Sequence, residues 1–447
     1  MNLTGKNITF RRSRSRSNPT RILILLGMVV LAVFLLRSVE SKQIRSPFLP
    51  TPIPTRASNS YALEGETYFV AGNLPKAIDA YRKALDLDPN NARLFSELAR
   101  IMVYSSANMT TDQEKKERLT EALELATKAV ELAPEDSDVH AIRALTLDWN
   151  SNPVLAGDER STFLAEAEQE ATRALQLNNK NALAMAYFAE IMLDQANYTR
   201  AEQLMAQAME QGDAFMDVHR VNGTLQETLG NYGRAIEEYQ RALEINPKLT
   251  FLHIAIGVNF RQLKRYTEAL DYFSQAATIN EQLGVRDPLP YLAIGKTYSQ
   301  TGDFFAASLN TRKGLQYNPY SQDTYAALGV VYFKARNYES AIPALKCAIR
   351  GCPPEESCAV RRDCEDPNVP QITLTGLPLS TTTVVYYYTY GSALAGMYRP
   401  RQKGMDYCQE ASDILSMVRK GFSEDTVIMS IIEPSEQICR SFGYTPK

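Results

Sequence analysis

The chain has 447 residues, of which 45% are hydrophobic and 22% are charged, so it is long enough for two or three domains or for one long array. Its formal net charge of -3 and its isoelectric point near 5.9 give no overall positive field, which argues against a nucleic-acid-binding protein. All six cysteines lie in the last quarter of the chain, so any disulfide framework is confined to the C-terminal part.

The first predicted element is a transmembrane signal anchor over residues 22–36, which contain no polar side chain. As a helix this run covers only about 22 Å of a hydrocarbon core about 30 Å thick, so the flanking arginines must snorkel or the membrane must thin. The alternative is a cleaved signal peptide, but residues 37–47 offer no small-x-small cleavage site. The sequence therefore predicts contact with the lipid bilayer through residues 22–36.

The charge on the two sides of this helix predicts its orientation. Six Lys or Arg residues precede it and three follow closely, so residues 1–21 are expected to form a basic cytoplasmic tail. The rest of a single-pass protein of the cell membrane then lies outside the cytoplasm. Residues 37–57 are rich in Pro, Ser and Thr and predict an extended linker.

Beyond the linker, one thirteen-residue phrase recurs: AIDAYRKALDLDP near residue 77 returns as AIEEYQRALEINP near residue 235. Its first alanine returns at intervals of 45, 45, 34, 34, 34, 38 and 34 residues. A small residue always follows seven positions later, a glycine stands twelve positions earlier in five copies, and a proline stands twelve positions later in five. This spacing is typical of a helix pair closed by a helix terminator. The recurring alanines are Ala77, Ala122, Ala167, Ala201, Ala235, Ala269, Ala307 and Ala341.

The pattern resembles the tetratricopeptide repeat, a helix-turn-helix unit of 34 residues. The resemblance covers residues 58–355 as eight repeats, and it implies an all-α fold: a right-handed superhelical solenoid, here preceded by one transmembrane helix. Two repeats are each eleven residues longer than the basic period, and we expect their insertions to form protruding turns. One of them contains a predicted capping box from Thr111 to Glu114, which would begin a lengthened second helix.

The repeat pattern stops near residue 355 and later resumes weakly. Residues 356–383 form a cysteine-containing insertion with too few apolar residues for a core of its own. Residues 384–447 predict a degenerate ninth repeat and a capping helix, although the segment VVYYYTYGSALAGM favours a strand by propensity. The capping helix is expected from about residue 424 to residue 441, kinked or split at Pro434.

The cysteines predict disulfides in an extracytoplasmic protein. We expect Cys408 to pair with Cys439, tying the ninth repeat to the capping helix, and the other four to pair among themselves. Metal binding is the alternative, but the spacings do not fit zinc ligands and no histidine lies nearby, so no metal is predicted. Free buried thiols are a second alternative. The disulfide candidates are Cys347, Cys352, Cys358, Cys364, Cys408 and Cys439.

No catalytic signature such as HExxH, GxSxG or GxGxxG is present, so the sequence predicts neither an enzyme nor a cofactor. The three histidines, His140, His219 and His253, belong to three different repeats. They occupy a position that holds tyrosine in other repeats, and we therefore expect them to pack rather than to bind metal.

The resemblance implies protein-protein binding, in which the first helix of each repeat lines a concave groove. We expect an apolar peptide or helix with a modest acidic component to bind there. The alternative for the groove residues is packing against the next helix. The alternative function is a structural subunit or assembly factor of an envelope machine, such as a pilus, secretion or cell-wall apparatus. The predicted groove residues are Phe251, Ile254, Val258, Arg261, Leu292, Lys296, Val330, Phe333 and Lys334.

Overall fold

The computed structural model describes residues 18–40, 56–109, 111–399 and 406–443. Most of the predicted basic tail and most of the predicted linker lie outside these residues. The chain divides into two compact units, residues 1–56 and residues 57–447, and each is described by itself.

The first unit contains helix α1, Pro19–Glu40, which is longer than the apolar run that predicted it. Its 22 residues extend about 33 Å at 1.5 Å per residue, which is enough to cross a hydrocarbon core about 30 Å thick. Its added length consists mostly of polar and charged residues at the two ends, including Arg21 and Arg37, so the apolar part still covers only about 22 Å, and the arginines must snorkel or the membrane must thin. Within the described residues it is the one helix that is long and apolar enough to span a membrane, although a signal sequence has the same properties.

The second unit is an array of helix pairs with two short strands. Each recurring alanine lies on the second helix of its pair. The two insertions are largely helical rather than protruding turns: residues 112–119 extend the second helix of repeat two, and residues 153–156 form a short helix before the second helix of repeat three. The pairs of the eight repeats are α2 Ser58–Val70 and α3 Leu74–Leu87; α4 Ala92–Ser105 and α5 Asp112–Leu132; α6 Ser137–Asn150 and, after the short α7 Pro153–Ala156, α8 Arg160–Leu177; α9 Ala182–Asp194 and α10 Tyr198–Gly212; α11 Met216–Thr228 and α12 Tyr232–Ile245; α13 Thr250–Gln262 and α14 Tyr266–Leu283; α15 Leu289–Thr301 and α16 Phe304–Tyr317; α17 Gln322–Lys334 and α18 Tyr338–Ile349.

The C-terminal part follows the predicted order. The strand propensity of the tyrosine-rich segment is overridden, because the segment forms a helix that packs against its partner helix as in the other repeats. Pro434 lies inside the last helix without splitting it. The elements are β1 Gly351–Cys352, α19 Pro354–Arg361, β2 Leu374–Thr375, α20 Val384–Met397, α21 Tyr407–Gly421 and α22 Thr426–Ser441, with β1 and β2 antiparallel.

Several of these helices begin at a residue whose side chain caps the helix N-terminus. The side chains of Asn91, Asn181 and Asn337 each accept a hydrogen bond from the backbone N–H three residues later, which satisfies one of the free donors at a helix start. The predicted capping box is confirmed, because the Thr111 side chain and the Glu114 carboxylate each accept a backbone hydrogen bond from the other residue.

The repeat residues explain how the two helices of a pair come close. All eight recurring alanines have an exposed fraction of 0%. A Cβ atom on Gly223 would lie 2.6 Å from the ring of Tyr239 on the second helix of the same pair. A Cβ atom on Gly257 would likewise lie 2.5 Å from the ring of Phe273. Glycine is therefore required where an aromatic ring fills the gap between the paired helices.

The buried apolar residues of the described part form two clusters. The first runs from residue 69 to residue 294 and unites repeats one to six with the first helix of repeat seven. The second runs from residue 315 to residue 439 and unites the second helix of repeat seven, repeats eight and nine and the capping helix. Ile372 and Leu374 of the insertion belong to the second cluster, so the insertion is held by the core of its neighbours.

Candidate functional site

The first helices α4, α6, α9 and α11 contact one another in succession, as do α13 with α15 and α17 with α20, and we call the face that the first helices share the inner face of the array. We define the inner face by four positions on each first helix, counted from its small residue: three before it and one, four and five after it. The small residue itself, such as Ala99 or Gly223, packs against the second helix. Side chains at the four inner positions therefore decide whether the array encloses an open groove.

In repeats two to five the inner face is closed by an ion pair between distant repeats. Arg100 of α4 donates a hydrogen bond to Asp217 of α11, 117 residues away, at 2.9 Å, and another to Glu97 at 2.7 Å. The Asp217 side chain is 4% exposed. The Arg100 guanidinium also lies 5.0 Å from the centre of the Phe69 ring. Repeats one, two and five consequently meet across the axis of the superhelix.

A second buried arginine fills the same region from the other side. Arg220 of α11 donates two hydrogen bonds to Glu190 of α9, at 2.7 and 2.6 Å. Its guanidinium lies 5.5 Å from the ring centre of Tyr104 and 6.0 Å from that of Trp149. A bidentate carboxylate and two neighbouring aromatic rings together compensate well for the burial of a guanidinium.

Aromatic and backbone contacts complete the closure. The rings of Tyr104 on α4 and Phe251 on α13 stack with their centres 5.3 Å apart. Gly72, in the turn of repeat one with φ of 73°, lies so close to the carbonyl oxygen of Lys248 that a side chain would overlap it. Repeats one and two are therefore in contact with the start of repeat six, and side chains of the array itself fill the inner face between them.

The closed region also contains a carboxylic acid with unusual proton affinity. Asp148 on α6 is 2% exposed. Burial raises the pKa of Asp148 well above its usual range, and the nearby carboxylates of Glu190 and Asp194 raise it further, against the opposing effect of Arg220. The inner core of repeats two to five therefore favours an uncharged Asp148.

In repeats six to eight the same inner positions are open. Ile254 and Val258 on α13, Leu292 on α15, and Val330 and Phe333 on α17 are half-buried and expose part of their apolar surface. Lys296 and Lys334 are exposed on the same helices. The partial exposure of these apolar side chains and the charge of the two lysines are compatible with a groove, and the groove assignment stays a prediction.

Four predicted groove residues contact other parts of the array. The Phe251 ring stacks on that of Tyr104, the Phe333 ring lies 5.5 Å from that of Tyr338, and Leu292 packs beside Gly314 on α16, so their role in a groove stays a prediction. Arg261 lies over the ring of Phe273 at 5.5 Å and donates a hydrogen bond to the carbonyl oxygen of Ala293 at 3.4 Å. Burial lowers the pKa of the Arg261 guanidinium.

The three histidines share one packing role. The Nε2 atoms of His140, His219 and His253 lie 3.0, 2.7 and 3.0 Å from the carbonyl oxygen of the residue six positions earlier. Each ring thereby ties a first helix to the turn that precedes it. The three rings lie in three different repeats, and two of them use Nδ1 to contact a glutamate of the second helix.

All six cysteines are paired in the structure. Cys347 joins Cys352, Cys358 joins Cys364, and Cys408 joins Cys439, with Cα atoms 4.7, 4.9 and 5.3 Å apart. The last pair is the one that the sequence predicted. Glu356 lies near the first pair, but the two sulfur atoms that would have to bind a metal are bonded to each other.

Sequence reasoning missed the closed part of the inner face. Its signal was available in part. Arg220 occupies an inner position that holds Ile254, Leu292 and Ala326 in repeats six to eight, whereas the position of Arg100 and Glu190 holds Val258, Lys296 and Val330 there. Charged residues at such positions suggest pairing across the axis. Which repeats pair depends on the curvature of the array, which the repeat pattern does not specify.

Two family models match parts of the chain. A model described as TPR repeat matches residues 65–103, and a model described as tetratricopeptide repeat matches residues 188–250 and 222–283. Among curated proteins, none matches the chain significantly.

Solved structures share this kind of helical array at low identity. A chain of the APC/C hetero-tetramer Cut9-Hcn1 is 17% identical over 69% of this chain, with a TM-score of 0.49, and the match spans 53% of that chain. Human IFIT1, solved as a dimer with PPP-AAAA, is 15% identical over 88% of this chain and 92% of its own, with a TM-score of 0.49. PilW, described as a type IV pilus biogenesis factor, is 15% identical over 44% of this chain and 90% of its own, with a TM-score of 0.39. At these values the similarities carry no argument about what this chain binds.

Proposed function

We propose that this chain, which contains tetratricopeptide repeats, is a membrane-anchored, extracytoplasmic scaffold that binds a peptide or helix of a partner protein. Such repeats typically serve protein interaction. The observation that carries the proposal is the contrast along the inner face: closed by internal ion pairs in repeats two to five, and open, apolar and basic in repeats six to eight.

The open inner face favours one class of ligand. Its half-buried apolar side chains, such as Val258 and Phe333, can receive apolar anchors spaced along a helix or an extended peptide. Lys296 and Lys334 add positive charge, so acidic residues beside those anchors would speed association and fix the register. We therefore propose an apolar partner segment with a modest acidic component, bound to helices α13, α15 and α17.

Membrane anchoring and location are supported by two further observations. Helix α1 has the length and apolar surface of a spanning helix, and it follows more positive charge than it precedes. The three disulfides fit an oxidising compartment outside the cytoplasm. Protease added outside intact cells or spheroplasts should digest the repeats; protection of the repeats would contradict the orientation.

The binding proposal is tested by site-specific photocrosslinking in intact membranes. A photoreactive amino acid at Leu292 should capture a partner, whereas one at Lys83, exposed on the second helix α3, should not. Adding Lys296→Glu and Lys334→Glu should reduce capture about tenfold or more, because it reverses two charges on the open inner face.

The matched control is Lys83→Glu with Lys116→Glu, which changes the same charge on two second helices. The control should leave capture unchanged, and circular dichroism should show equal helicity for both variants. Equal losses in both double variants would contradict the assignment to the inner face. Isolation of a stoichiometric membrane complex that does not depend on these lysines would favour the subunit of an envelope machine.

A further inference from the structure

The last helix of the array carries an apolar stripe that faces solvent. One side of α22 packs against α20 and α21 through Ile428, Ile432 and Cys439. An adjacent side, continued by the residue that follows the helix, exposes four large apolar side chains. Their exposed fractions are 66% for Val427, 38% for Ile431, 42% for Ile438 and 43% for Phe442, whose ring also contacts that of Tyr398 with the ring centres 4.6 Å apart.

The outer face of a terminal repeat is normally polar, because nothing stacks on it. Single exposed apolar residues are common on proteins, but these four are spaced 4, 7 and 4 residues apart and so lie in one line along the helix. A line of this kind marks a contact surface rather than scattered exposure. We call these four residues the α22 stripe.

We propose that the α22 stripe is the contact between two copies of this chain, which pair antiparallel about a two-fold axis beside Pro434. The spacing 4, 7, 4 reads the same from either end of the helix. An antiparallel partner therefore places its Ile438 against Ile431 and its Phe442 against Val427, and the two-fold axis makes both contacts twice. Such self-complementarity is what an isologous interface requires.

The charges at the two ends of α22 also favour antiparallel pairing. Glu424 and Asp425 lie exposed at its N-terminal end, and Arg440 lies exposed near its C-terminal end, where it also donates a hydrogen bond to Glu436 of its own helix at 2.9 Å. Antiparallel helices bring the acidic end of one copy beside the basic end of the other and oppose the two helix dipoles. A parallel pair would instead place the acidic ends of both copies together.

The same charges disfavour a membrane surface as the occupant. Glu424, Asp425 and Glu433 are exposed around the stripe, and an anionic bilayer would repel them. An interfacial helix usually carries Lys or Arg on its polar face. A second copy is therefore the better occupant.

The stripe is held rigidly in place. The Cys408–Cys439 disulfide joins α22 to α21. Glu436, whose side chain is 2% exposed, accepts hydrogen bonds from Arg419 at 2.9 and 2.6 Å, and Ser435 contacts Ser392 of α20 at 2.9 Å. Pairing therefore requires little ordering of the helix, which lowers the entropic cost of association.

The contact involves few side chains, so we expect weak pairing in solution and stronger pairing on a membrane. A stable dimer usually buries more than about 1,000 Å² in total, and one helix against one helix offers less. Anchoring both copies in one bilayer, as the proposed function requires, raises their effective concentration and compensates for the small contact.

Disulfide trapping of the full-length protein in its membrane tests the geometry. All native cysteines are paired, so a new cysteine is the one free thiol. Pro434→Cys places that thiol at the proposed axis, and it should crosslink to the partner copy under mild oxidation. Val427→Cys serves as the orientation control, because an antiparallel pair holds the two Val427 positions far apart. The crosslinked fraction should be about tenfold higher for the first variant; equal or reversed yields would overturn the antiparallel pair.

A second pair of variants tests the stripe itself. Ile431→Glu should abolish the Pro434→Cys crosslink, whereas Gln437→Glu, which adds the same charge on the exposed polar side of α22, should leave it intact. Loss of crosslinking in both, or in neither, would overturn the proposal. Labelling of the stripe by a photoreactive lipid, with no crosslink at position 434, would assign the surface to the bilayer and likewise overturn it.

Discussion

Asp287 provides a quantitative test of the junction that leads into the open inner face. It lies between α14 and α15 and is 1% exposed. Its carboxylate accepts hydrogen bonds from the backbone N–H of Leu289 and from the side-chain amide of Asn280, both at 2.9 Å. Burial raises the pKa of Asp287 from 3.8 to about 6, because two hydrogen bonds only partly replace the lost hydration.

The sign of the effect follows from linkage. The folded protein holds this proton more tightly than the unfolded chain, so the stabilising contribution of protonated Asp287 is fully present below its unfolded pKa of 3.8 and is lost as the pH rises to about 6. Each pKa unit corresponds to about 1.4 kcal/mol, so the free energy of unfolding should fall by roughly 3 kcal/mol across this window. The replacement Asp287→Asn removes the charge and should remove this loss.

Urea denaturation followed by circular dichroism, from about pH 4 to about pH 8, measures the difference. Asp287→Asn should match the natural protein at the acidic end and exceed it by as much as about 3 kcal/mol at neutral pH. Asp271→Asn, an exposed position on α14, is the control and should keep the natural pH dependence. A pH dependence that is unchanged in Asp287→Asn would refute the reasoning.

Two further predictions concern packing and cross-linking. Gly223→Ala should lower the free energy of unfolding by about 1–3 kcal/mol, because the added methyl group would overlap the ring of Tyr239. Gly233→Ala, on α12 with nothing within 4 Å of the added methyl group, should raise the free energy of unfolding by about 0.5–1 kcal/mol. Urea denaturation of both variants checks this, and equal effects would contradict it. Replacing Cys408 and Cys439 by alanine should lower the free energy of unfolding by about 2–4 kcal/mol. Amide hydrogen exchange should become faster in α22 but not in the early repeats. Unchanged exchange in α22 would show that the disulfide is dispensable.

The sequence predicted the helix pairs well because the relevant signals are local. Ala at a fixed position of the second helix is buried in every repeat, and Gly257 faces Phe273 within one hairpin, so a 34-residue pattern contains the information. The tyrosine-rich segment forms helix α20, as expected from Tyr387, Gly391 and Leu394, which have the spacing of the first helix of a repeat. Propensity alone favoured a strand.

The inner face was predicted less well because its contacts are not local. Phe251 has the position and chemistry of a groove anchor, yet Tyr104, 147 residues earlier, covers its ring. Whether such residues meet depends on the small rotation between successive repeats, which accumulates along the array. The insertions and the 38-residue interval change that rotation in ways that no repeat pattern states.

The closed and open parts of the inner face depend on each other. Separating Arg100 from Asp217 would leave a buried charge without its partner, at a cost of about 3–5 kcal/mol, so the first turn of the superhelix resists opening. A partner that had to enter there would need to supply that energy before it gained any contact. Repeats six to eight impose no such cost at Lys296 and Lys334, because both side chains are exposed. Because the first turn of the superhelix is rigid, a partner that binds to the later repeats loses none of its binding energy to opening the array.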